Sequence, residues 1–102
     1  MSSTQERADR QREERDAAQR EAERRQASGR LEDAVAAGVM RDLGRPADFL
    51  RAGARLLWDS YYRVNVFAGP NVASARIAHS FFLEADAAGN VLTSTPPVTR
   101  AY

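Results

Sequence analysis

Cysteine is missing from all 102 residues. That absence excludes a disulfide framework, a thiolate nucleophile and any cysteine-ligated metal. Lysine is missing too, so every one of the fifteen basic residues is Arg, a bias expected of a bacterial protein. There is one histidine, His79, too few for a multi-histidine metal site within one chain. No metal and no cofactor are therefore expected. The longest runs of large apolar residues are Leu56-Leu57-Trp58 and Phe81-Phe82-Leu83, far too short to span a bilayer. The opening residues, MSSTQERADR, hold no apolar stretch of the secretory type. The expectation is a small soluble protein of the cytoplasm, with no membrane association. Fifteen basic residues against 14 acidic ones leave a net charge of +1, so no global excess of cations exists to attract a phosphate backbone.

Large apolar side chains are also missing from residues 1–30, where Met1 stands alone among Arg, Glu, Gln, Asp, Ala and Ser. Such a segment cannot contribute to a core. It reads instead as a solvated, charged helix. Glu6–Arg10, Asp16–Arg20 and Glu21–Arg25 are acid-before-base pairs four residues apart, each worth about 0.2–0.5 kcal/mol in a helix. No Pro or Gly interrupts residues 4–28, Ser3 or Thr4 is placed to cap the start, and Gly29 is placed to stop it. The stripe Ala8, Arg15, Ala18, Ala22 offers no Leu or Ile knobs, so a coiled-coil seam is not expected. The chain then divides into a charged extension over 1–29, an α+β domain over 30–95 and an extended Pro-Pro tail over 96–102.

Within the domain, Leu31, Val35, Val39 and Leu43 recur every four residues, with Ala34 and Met40 alongside, which predicts an amphipathic helix ended by Gly44. Arg45-Pro46 then predicts the start of a second short helix burying Phe49, Leu50, Ala52 or Gly53, Leu56 and Leu57, with Arg51 and Arg55 on its other side. From Trp58 the period falls to two. Tyr62, Val64 and Val66 alternate with Tyr61, Arg63, Asn65 and Phe67 in a first strand. Gly69-Pro70-Asn71 turns the chain into a second, with Ile77, His79, Phe81 and Leu83 on one face. Asp86 to Asn90 forms a loop with Gly89 left-handed, and a third strand runs from Val91 to Thr95 before Pro96-Pro97. The fold class is α+β: a charged N-terminal helix, two short amphipathic helices, then a three-stranded antiparallel meander. Leu57 and Phe81 are expected at the helix–sheet interface.

Chemistry-bearing motifs are sparse. His79 and Ser80 are adjacent in a strand and so point to opposite faces, which keeps base and hydroxyl apart. His79 reads as a histidine among core side chains with one hydrogen bond. Asp86 reads as a turn residue, and Asp59 sits where helix would give way to strand. Neither forms an acid–base pair in a pocket, so the protein is read as no enzyme. The loop at Asp86 lacks the alternating oxygens and bidentate Glu of a calcium site.

The second sheet face carries the functional reading. Tyr61, Arg63, Asn65, Phe67 and Phe82 share it, joined by Val91 or Leu92 according to the hairpin register. An aromatic patch with arginine is normally covered, either by the chain's own extensions or by a partner. The expected function is a protein-interaction or assembly module that binds itself or a larger complex through this face and its terminal extensions. The alternative is a nucleic-acid binder, either a helix-turn-helix with a wing, edged by Arg41, Arg45, Arg51 and Arg55, or a sheet that stacks RNA bases. Seven Arg and seven acids in residues 31–102 weigh toward protein.

Overall fold

The computed structural model describes residues 2–102, with side chains from Thr4 onward. Met1, and the capping role considered for the Ser3 side chain, lie outside the described residues. Among the described residues, a single α-helix, α1 (Ser2–Leu43), is followed by four strands, β1 (Phe49–Trp58), β2 (Tyr61–Ala68), β3 (Arg76–Ala85) and β4 (Val91–Thr95), with a 3-10 turn at Val72–Ser74 between β2 and β3. They form one antiparallel sheet in the order β1-β2-β3-β4. The class is α+β as expected, but with one long helix in place of three helices, and four strands in place of three.

Helix α1 runs unbroken through Gly29, where a stop was expected. Nothing lies within 4 Å of the place a Gly29 side chain would occupy, so the residue is merely permissive there. Helix propensity on both sides carries the backbone across. Thr4 lies inside the first turn and does not cap it. Of the three acid–base pairs, Glu21–Arg25 closes at 3.8 Å. From Thr4 to Ser28 the helix is exposed save for Ala22. It therefore projects beyond the sheet, and the molecule measures 69 × 32 × 17 Å. Its radius of gyration is 19.7 Å, against about 13 Å for a compact chain of this length.

The last turns of α1 hold the core. Val35, Val39 and Leu43 are fully buried against Tyr62, Val64, Val66, Phe81, Leu83 and Ala85 of one sheet face. Leu31 and Met40 pack at the margin. Gly44, at φ +86°, ends the helix by donating its N–H to the Met40 carbonyl at 2.9 Å. Residues 96–102 return to this end. Ala101 and Tyr102 donate their N–H groups to the Leu43 carbonyl at 2.9 and 3.3 Å, and Val98 packs on the core. The tail thus covers its own domain and supplies a helix C-terminus with donors it would otherwise lack.

The second expected helix is strand β1. Its periodicity was ambiguous, because Arg51 and Arg55, four apart, share a face in a strand as well as in a helix. The deciding pattern is Arg51-Ala52-Gly53-Ala54-Arg55-Leu56, which alternates with period two. Ala52 and Ala54 face α1, and their small side chains let the helix lie close. The Glu32 carboxylate of α1 accepts the Leu56 N–H at 2.7 Å, shielding part of the sheet's edge. With no helix at 46–57, the helix-turn-helix alternative loses its second helix. Leu57 is 40% exposed, so its expected place in the core is corrected; Phe81, at 3%, is where it was expected. Ile77 is also corrected. A bulge between Val66 and Phe67 sets Ile77 opposite Phe67, on the face away from α1, and leaves it 56% exposed.

Candidate interaction face of the sheet

The helix covers one side of the sheet and leaves the other open. Tyr61, Arg63, Asn65 and Phe67 alternate with the buried Tyr62, Val64 and Val66 along β2, so all four stand on the open side. Phe82 of β3 pairs with Arg63 in the register and joins them. The five residues singled out from the sequence are therefore brought together on one surface. Val91 packs on the core, which settles the hairpin register against it, while Leu92 is exposed.

Two further groups reach this surface because β1 is a strand rather than the helix expected over this segment. The first is Trp58. A register shift between Leu56 and Trp58 sets Trp58 opposite Tyr61, just before the tight turn in which Asp59 takes a positive φ of 47°. Trp58, Tyr61 and Phe82 form a triangle of rings with centroids 5.7–5.8 Å apart, Tyr61 and Phe82 being stacked at 11°. Trp58 remains 55% exposed. The second group is the pair Arg51 and Arg55, which alternate outward on β1. Arg55 lies directly opposite Arg63, and Arg51 opposite Phe67.

Rings rather than acids hold two of these cations. The Arg51 guanidinium sits 4.5 Å from the Phe67 ring centre, and that of Arg63 sits 5.8 Å from the Phe82 ring centre. Asn65 accepts a hydrogen bond from the Ser80 hydroxyl at 2.6 Å. Glu84, opposite Tyr61, is the one carboxylate among these strand positions, and it accepts from the Ser60 hydroxyl at 3.1 Å. Charge balanced over the whole chain is thus unbalanced locally: the open face carries Arg51, Arg55 and Arg63 against Glu84.

The remaining candidates lie apart from one another. The His79 ring lies parallel to that of Phe81 at 6.0 Å, and its Nε2 is 2.8 Å from the Tyr102 hydroxyl oxygen. Ser80 points the other way, to Asn65, so the two do not meet. Asp86 accepts the N–H groups of Ala88 and Asn90, each at 2.9 Å, and the Asn90 side-chain amide at 3.2 Å. The Asn90 backbone and side-chain donors hold its carboxyl below the ordinary aspartate range. Among the described residues, no group of three or more His, Cys, Asp or Glu is placed to hold a metal ion, and no helix is long and apolar enough to cross a membrane. No known protein family, characterised protein or solved structure matches this chain.

Proposed function

We propose that this chain is a binding module, without catalytic activity, that docks a protein partner on the open face of its sheet. The observation that carries the reading is the cluster of Trp58, exposed, with Tyr61 and Phe82, half-buried, beside Arg51, Arg55 and Arg63 on the side of the sheet away from α1. Tryptophan, tyrosine and arginine dominate the energetics of protein interfaces, and a single layer of sheet with one bare aromatic face gains by being covered. The tail is engaged on the opposite side, at the end of α1, and does not supply that cover.

Base stacking on the sheet draws less support. Tyr61 and Phe82 are stacked on each other, and guanidinium groups sit over Phe82 and Phe67. Ring faces engaged in this way are not free for nucleobases. The test is the double change Phe67→Ala, Phe82→Ser, compared with the parent chain by sedimentation and by pull-down from its own cells. The expected result is a folded variant that loses its assembly or its captured protein. A folded variant that keeps both would overturn the proposal.

A further inference from the structure

We infer that the partner is an acidic protein segment, whose carboxylates seat between Arg51, Arg55 and Arg63. This rests on the docking reading and adds the chemistry of what docks.

Three observations converge. First, Arg55 and Arg63 are direct cross-strand neighbours. Like charges so placed repel, and an anion between them removes the repulsion. Second, the donors are unspent. The ion pairs found among the described residues are Glu21–Arg25 and Asp48–Arg76, and neither uses an arginine of this face. Stacking on Phe67 and Phe82 positions two of the guanidinium groups while leaving their planar N–H forks for an incoming oxygen. Third, there is a place to receive it. A shallow depression of about 240 Å³ is lined by Arg51, Gly53, Arg55, Arg63, Asn65 and Phe67. Gly53 contributes no side chain to its floor, and the nearest atom to a Cβ built there would be Arg51 Nη1 at 3.7 Å.

The same features argue against a second copy docked through the same face. A two-fold contact centred on the three arginines would bring two like-charged groups together. Residues 1–30 carry eight Arg against seven acids and offer no acidic strand of their own.

The experiment follows Trp58, the chain's one tryptophan and a neighbour of Tyr61 on this face. The full chain is titrated with a synthetic peptide of alternating Glu and Leu, with the same peptide carrying Gln in place of Glu, and with a short oligouridylate. The expected result is a saturable change in Trp58 emission with the Glu peptide. It should weaken as salt rises and be absent with the Gln peptide. Arg55→Ala with Arg63→Ala should reduce the affinity about tenfold or more. Both positions are exposed, so circular dichroism should report an intact fold. Equal response to the Glu and Gln peptides, no response to either, unchanged affinity in the folded double variant, or tighter binding of the oligouridylate would each overturn the inference. If the Glu peptide fails while Phe67→Ala, Phe82→Ser still abolishes assembly, the docking reading survives and only the acidic partner falls.

Discussion

Gly38 of helix α1 and Gly89 of the loop before β4 touch backbone to backbone: a Cβ on Gly38 would collide with the Gly89 carbonyl oxygen. The contact is tight from both sides. Gly89 adopts φ +85°, and a Cβ there would lie 2.6 Å from the carbonyl oxygen of Ala34. No flexible side chain can move aside, since the opposing atoms are main chain. Gly38→Ala should therefore destabilise the fold by about 1–3 kcal/mol, the usual range for overpacking. Thermal or urea unfolding of the variant measures it, and an unchanged midpoint would show that the helix–loop approach is looser.

Gly29 is the contrasting case, with open space around it in a helix that passes straight through. Gly29→Ala should raise helix stability by about 1 kcal/mol through propensity alone. The checks are helical ellipticity and its resistance to heat, and a fall in either would mean that the helix needs a break there.

Phe81 and Leu57 differ in burial and should differ in energetic weight. Phe81 is 3% exposed beneath α1, so Phe81→Ala should cost about 3–5 kcal/mol. Leu57 is 40% exposed, and Leu57→Ala should shift stability by only about 0.5 kcal/mol. Denaturant midpoints of the two variants should differ accordingly. Comparable losses would place Leu57 in the core.

Asp86 gives a pH signature. Its folded-state carboxyl titrates below the ordinary aspartate range because Asn90 and Ala88 donate to the ionised form. The stability it adds is thus present above the unfolded-state pKa and is lost as pH falls through the depressed folded value. Asp86→Ala should lower the unfolding temperature at neutral pH, and the difference from the parent should shrink as acid protonates the parent's carboxyl. A difference that is flat across the acid range would contradict the loop's hydrogen-bond account.

Residues 1–28 should be dispensable for folding, since Thr4 to Ser28 are exposed apart from Ala22. Deleting them should leave a cooperative thermal transition in the remainder. A broad, non-cooperative melt would assign the projecting helix a structural role.

Legibility in the sequence followed the strength of local pattern. Val35, Val39 and Leu43 are spaced for a single helical face and bury as read, and Tyr62, Val64 and Val66 alternate cleanly. Gly44, Gly69 and Gly89 mark chain reversals that need positive φ, and each adopts one. β1 was misread because its inward residues are the small Ala52 and Ala54, which give little hydrophobic contrast, while the four-residue spacing of its arginines fits helix and strand alike. Ile77 was misplaced by a bulge, which inserts a residue without any local signal in composition. For the candidate face, β2 and β3 supplied Tyr61, Arg63, Asn65, Phe67 and Phe82. Trp58, and the place of Arg51 and Arg55 on this face rather than on a helix edge, follow only from β1 being a strand. The local positive charge was hidden by a whole-chain balance near zero.

The most direct test of the account is the accessibility of Trp58 to acrylamide, measured in the isolated chain and in the assembly it forms. Half-exposed on the open face, Trp58 should be quenched readily in the isolated chain and strongly protected once the partner is bound. Equal quenching in both states would contradict docking on this face.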